Sequence, residues 1–272
     1  LAGSKNNLLW RLIVGAGLIG LVVAAVFTHR LAIFALVEII ITLATYEFVK
    51  IAGIRNIQLN YYLTVGLNLL FPVFVYFQWP MIYLLLGSFL VIATYGIFKK
   101  NASSHLTFFA TSVLALFYLG FFPAHLMLLK QLVIQNSLSN WHVMFPLLFT
   151  WLNDTAAYGF GAALGRHKLI PRLSPKKSWE GTIAGLLFSI VTALVYWRLA
   201  FPTKPFWYFL ILGVVLSLLA LQGDLFESSF KREAGLKDSS RLLPGHGGFL
   251  DRIDSLLFTI PGFYYFLLLI GL

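Results

Sequence analysis

Four carboxylates in the C-terminal third of the chain stand in two pairs of equal spacing, Asp224 with Glu227 and Asp251 with Asp254. Residues three apart on a helix share a face, so each pair can turn toward one cation. Oxygen ligands without any cysteine point to Mg²⁺ or a similar hard ion, with a second cation left open. The plainer alternative is a set of solvated helix ends, with Asp251 and Asp254 complementing the dipole of a helix start. Between the pairs run Lys231, Arg232, Lys237 and Arg241, then Pro244, Gly245, His246, Gly247 and Gly248. Glycines let backbone approach a phosphate, N–H groups at a helix start attract anions, and lysine and arginine neutralise them. Cations and carboxylates interleaved this way suit a metal-bound polyphosphate. An anchor loop that only meets lipid headgroups is the alternative, and it leaves the acids and the Gly-His-Gly-Gly turn unexplained.

A second polar segment reads Ser174, Pro175, Lys176, Lys177, Ser178, Trp179, Glu180, Gly181. Its two lysines beside a hydroxyl can hold a phosphate, with Glu180 orienting a lysine or joining the metal. An ordinary helix-flanking loop with an interfacial Trp is equally open. Asp154 lies inside an apolar run, where an ionisable residue is costly and a functional candidate by default. A structural hydrogen bond to a neighbouring helix would also account for it. Tyr158, Gly161 and Gly165 follow at helical spacing. Glu38 and Glu47, nine apart, point to opposite sides of a helix and cannot share a site. Glu47 is expected at the membrane interface, as are the histidines at 29, 105, 125, 142 and 167, while Glu38 has no assigned role.

These groups must be positioned by an unusually apolar chain. Of its residues, 59% are hydrophobic and 11% charged, with a mean hydropathy of +0.84, whereas about 25% charged is usual for a soluble domain. Bilayer hydrocarbon offers the backbone no partners, so helices or a closed barrel must span it, and long unbroken apolar runs select helices. The expected fold class is therefore all-α, a polytopic integral membrane protein of about nine transmembrane helices at 8–27, 31–49, 61–77, 81–98, 106–129, 141–164, 182–199, 206–225 and 253–272. An expression scar would account for residues 1–4. The first apolar run shows no cleavage pattern and is expected to remain as a span.

Alternate connections then hold sixteen of the twenty lysines and arginines, leaving Arg30, Lys130, Arg198 and Lys204 on the other side. Basic loops face the cytoplasm, which puts the N-terminus and the loops 165–181 and 226–252 on that face and the C-terminus opposite. Eight of the ten acids fall between Asp154 and Asp254. The expected organisation is an N-terminal scaffold, 1–130, and a catalytic region, 131–272. A net charge of +10 in such a chain indicates anionic lipid or phosphate partners, not nucleic acid. The absence of cysteine excludes disulfides, thiolate zinc sites and a thiol nucleophile.

The pattern Ser228-x-Phe230-Lys231-Arg232, Lys237-Asp238, then Pro244-x-His246-Gly247-Gly248-Phe249-x-Asp251-Arg252-Ile253-Asp254 resembles the signature of the CDP-diacylglycerol synthases, also called phosphatidate cytidylyltransferases. The segment from Ser174 to Gly181 is similar to that family too. The resemblance implies an enzyme of the inner (plasma) membrane that joins CTP and phosphatidic acid, giving CDP-diacylglycerol and pyrophosphate with a divalent metal. Carried onto this chain, it implies Asp224, Asp251 and Asp254 as metal-site acids, with Glu227 a further candidate. Lys176, Lys177, Lys237 and His246 fall in nucleotide or phosphate motifs, and Lys237 and His246 join the three aspartates as catalytic candidates. Ser178, Lys231, Arg232, Arg241, Gly247 and Gly248 complete the expected substrate contacts. The implied partners are CTP, phosphatidic acid and membrane lipids; a homo-oligomer is left open. Two rivals stand beside this expectation. A CTP-dependent polyprenol kinase would release CDP. A transporter for an anionic phosphorylated solute would show repeats and midplane polar sites, whereas polar residues here gather at one face.

Overall fold

Each expected apolar stretch is helical in the computed structural model, which describes residues 2–99, 104–240, 242 and 247–272, with side chains from Val14 onward. The helices are α1 (Ala2–Phe27), α2 (Arg30–Ile54), α3 (Tyr61–Phe77), α4 (Met81–Phe98), α5 (His105–Ala115), α6 (Phe122–Gln135), α7 (Trp141–Leu164), α8 (Trp179–Ala200), α9 (Phe206–Glu233), α10 (Leu250–Ile253) and α11 (Leu256–Leu269). Polar caps start several of them: Asn60, Ser104 and Ser178 accept the N–H of Leu63, Thr107 and Gly181 respectively, satisfying donors that have no partner within the helix.

Six helical rods among the described residues are long and apolar enough to cross a membrane: Arg30–Ile54, Met81–Phe98, His105–Gln135, Trp179–Ala200, Phe206–Glu233 and Leu250–Leu269. Val14–Phe27 and Tyr61–Phe77 are shorter apolar helices. α7 has the length but carries His142, Asn153 and Asp154. The all-α expectation needs one amendment. Within the loop 165–181, β1 (Lys168–Ile170) and β2 (Ser174–Ser178) form an antiparallel hairpin, pairing Lys168 with Ser178 and Ile170 with Ser174.

α5 and α6 form one rod joined by a π-helical turn, Leu116–Phe121. Gly120 lies in that turn because a Cβ there would stand 2.7 Å from the Phe71 ring and 2.8 Å from Asn68 Oδ1. α7, α8 and α9 pack side by side through small residues that let backbones touch. A Cβ on Gly181 would lie 2.5 Å from Ala157 O, and one on Gly213 would lie 2.7 Å from Ile190 Cα.

Three of the four basic residues outside the sixteen serve helix ends. Lys130 Nζ donates to Val26 O at 2.8 Å and Asn140 Oδ1 at 2.6 Å, at the end of α1. Arg30 donates to Val75 O at 2.9 Å at the end of α3, and Lys204 to Ile270 O at 2.7 Å just beyond α11. Each cation meets carbonyls at the C-terminal end of a helix, where the dipole is negative. The histidines at 125 and 142 are buried against the protein's own side chains. His125 meets Phe121 O and Tyr265 Oη, and His142 meets the hydroxyl of Tyr196.

Candidate active site

A cavity of about 440 Å³ opens among α7, β2, α8, α9 and the α10–α11 segment. Asp154, Asp224, Asp251 and Asp254 line it together with Lys176, Lys177, Arg252, Asn153, Ser178 and Ser217. Both polar segments singled out in the sequence therefore meet in one place. α9 supplies Asp224 next to Gly223, whose Cβ position lies 2.5 Å from Asp254 O. Glycine there lets α9 rest on the backbone that carries Asp254. β2 delivers Lys177, whose Nζ lies 2.8 Å from Asp224 Oδ2. Ser178 lines the cavity and also caps α8.

Asn153 ties three helices beneath this cavity. Its Oδ1 accepts from Ser189 Oγ on α8 and Ser217 Oγ on α9, both at 3.0 Å. Its amide donates to Asp154 Oδ1 at 3.1 Å, so the amide is oriented by α8 and α9 before it orients the carboxylate. Sequence reasoning missed Asn153 and Ser217, because neither belongs to a charged motif.

A second acid cluster shares Asp251 with the first. Lys231 is buried between Glu227, which is fully buried, and Asp251, and forms ion pairs with both. Asp251 also accepts from Ser239 N at 3.0 Å and Gly248 N at 2.9 Å through Oδ2. Gly247 has φ +83 and Gly248 would put a Cβ 1.7 Å from Ser239 Oγ. Both glycines are thus required by the fit of this loop around Asp251, whatever else they contact.

Glu47, expected only as a residue of the membrane interface, has a definite structural role: it is fully buried and reaches from α2 into the loop before α10. Oε1 accepts from Phe249 N at 2.8 Å and from the Ser240 hydroxyl, while Oε2 accepts from Leu250 N at 2.7 Å and Ser239 Oγ at 2.8 Å. Phe249, at the N-cap of α10, makes no side-chain cap bond; Glu47 fills that role from another helix. The signal was present, since an ionisable residue in an apolar run is a functional candidate by default, the rule applied to Asp154.

The remaining expected site residues scatter. Arg232 donates to Leu173 O and Leu236 O, both at 2.9 Å, joining the hairpin to the loop after α9. Lys237 is exposed and outside the cavity wall. Glu180 holds His167, accepting from its N–H at 3.2 Å and meeting Nδ1 at 2.7 Å. Arg241 and His246 lie outside the described residues. Glu227 is off the cavity wall, so the expected four-carboxylate set is split, with Asp154 present instead. The donors around the cavity are oxygen-only and fit a hard divalent cation in kind. Among the described residues, no three His, Cys, Asp or Glu side chains form a ready metal-holding group, and Asp224 and Asp251 are held by lysines.

A family model described as the cytidylyltransferase family matches residues 9–270. The phosphatidate cytidylyltransferase of Staphylococcus saprophyticus is 47% identical over 120 residues, which is 44% of this chain and 46% of that protein. The one from Staphylococcus epidermidis is 48% identical over 120 residues, with the same shares. The Haemophilus influenzae protein of that name is 46% identical over 134 residues, 46% of each chain. The chain spans about half the length of these curated relatives.

Proposed function

The chain belongs to the cytidylyltransferase family, and from that premise we propose that it joins CTP to phosphatidic acid, releasing pyrophosphate and leaving CDP-diacylglycerol. The observation that carries this reading is the single cavity lined by Asp154, Asp224, Asp251, Asp254, Lys176, Lys177 and Arg252, placed against helices apolar enough to span a bilayer. In the reaction, a phosphate oxygen of phosphatidic acid bonds to the α-phosphorus of CTP. The bond from that phosphorus to the bridging oxygen breaks, and pyrophosphate leaves with the electron pair. The attacking oxygen is already anionic, so no strong general base is required. What the site must do is bring mutually repelling anions together and hold the charge of the leaving group.

Lys176 and Lys177 supply cations at the cavity wall, and Asn153 holds Asp154 in place there. Lys231 keeps Asp251 seated while Glu47 fixes the start of the helix that carries it. Mg²⁺ held by Asp224, Asp251 and Asp254 would neutralise phosphate charge. We place nine spans in the plasma membrane with the N-terminus and both polar loops cytoplasmic. Helices at each of the nine apolar stretches and the sixteen-to-four split of basic residues support that arrangement.

The test is purified protein with labelled CTP, phosphatidic acid and Mg²⁺. A lipid-soluble cytidine product and pyrophosphate are expected, with loss on chelation. Asp251→Asn is expected to abolish turnover while the protein stays folded. Release of CDP would assign a lipid kinase, and full activity in Asp251→Asn would end the metal assignment.

A further inference from the structure

A second cavity, about 360 Å³, lies beside the first, bounded by α1, α2, α6, α7 and the α10–α11 segment. Leu18, Val22, Ile40, Leu126, Leu147 and Ile260 are typical of its wall, and Arg252 is its one charged lining residue among those described. Trp151, Arg252 and Leu256 line both cavities. A polar chamber and an apolar chamber, each of the size that encloses a small ligand, therefore share one wall, and Arg252 belongs to that wall.

We propose that the apolar cavity receives an acyl chain of the lipid substrate, with Arg252 meeting its phosphate at the junction; this rests on the phosphatidate reading above. Each half of such a lipid matches one chamber. Its anionic head belongs where Lys176, Lys177 and Arg252 gather, and its hydrocarbon belongs where the described lining is almost wholly apolar. Apolar cavities of this kind exclude water, and in a bilayer the available filler is hydrocarbon. The inference adds a role for α1 and α2, which supply much of the apolar wall.

The experiment is photolabelling of the full-length wild-type protein by phosphatidic acid carrying a diazirine near its acyl terminus. Adducts are expected on cavity residues of α1, α2 or α11, suppressed by excess unlabelled phosphatidic acid and not by phosphatidylcholine. Label confined to outward residues such as Leu90 and Leu199, and indifferent to competition, overturns the proposal. A second arm uses Val22→Trp and Ile40→Trp, with a melting curve as folding control. Filling the cavity is expected to raise KM for a dipalmitoyl substrate about tenfold, because several methylenes lose their burial, while a dihexanoyl substrate changes less than twofold. Equal effects on both chain lengths count against the cavity. Failure of the wild type to convert either phosphatidate overturns the phosphatidate reading itself, whereas conversion without a chain-length split overturns only the acyl site. If the variants do not fold, the wild-type labelling decides.

Discussion

Substituting Glu47 is expected to damage a loop about two hundred positions away in sequence. Its carboxylate is the acceptor for two backbone N–H groups, of Phe249 and Leu250, and for the hydroxyls of Ser239 and Ser240. In Glu47→Ala the hydroxyls can turn to other acceptors, but the two N–H groups sit buried at a helix start. At about 1–3 kcal/mol for each stranded donor, the loss is about 2–6 kcal/mol. Glu47→Gln keeps one acceptor oxygen and strands one N–H, about 1–3 kcal/mol, and removing the charge returns part of its desolvation cost. The expected order of stability is therefore wild type, Gln, Ala. Unfolding in detergent followed by tryptophan fluorescence measures that order. Limited proteolysis tests its location, because cleavage between 237 and 249 should rise before cleavage elsewhere. Turnover should fall with the same ranking, since Asp251 lies one residue after Leu250. A Glu47→Ala protein with wild-type melting and an unchanged cleavage pattern would refute the capping role.

Lys231→Met leaves Glu227 and Asp251 without their shared cation and is expected to cost about 3–5 kcal/mol; adding Glu227→Gln should recover part of it, read from melting of the single and double variants. Gly248→Ala drives a Cβ into Ser239 Oγ, so turnover should be lost with the helices intact by circular dichroism. Gly181→Ala pushes α8 away from Ala157 O and should destabilise by about 1–3 kcal/mol, visible as a lower melting temperature. Asn153→Ala removes bonds to Ser189 and Ser217, each worth about 0.6 kcal/mol between membrane helices, and frees Asp154. Activity should fall more than stability, as paired turnover and melting measurements would show.

The helix positions were legible because a bilayer demands long apolar runs, and α3, α4 and α7 match them end to end, whereas α9 runs on to Glu233, past the expected end at 225. The hairpin was not legible. Lys168–Ile170 and Ser174–Ser178 are short and polar, and the residues flanking them are held from outside the hairpin, His167 by Glu180 and Leu173 O by Arg232. The meeting of the two polar segments followed from their shared expected face, yet the division of labour within them did not. Lysines counted as phosphate ligands are partly engaged by aspartates, as Lys231 and Lys177 are. Glycines read as room for phosphate are also demanded by Asp251 and Ser239. Glu47 escaped because its partners lie at 239–250, beyond any local pattern. Arg30, Lys130 and Lys204 were simple exceptions in a charge count until the carbonyls they serve were visible.

The π-helical turn at Leu116–Phe121 carries one residue more than an α-helical path would need over the same rise. Everything after it is rotated by about 100° relative to an unbroken helix, and that rotation aims Lys130 at Val26 O and His125 at Tyr265. A one-residue deletion inside 116–121 would relax the rod to a regular helix and swing both side chains off their partners. Length change at this point is therefore a change of phase, and among homologous chains a single gap here would mark a different partner surface for the whole second half of the rod.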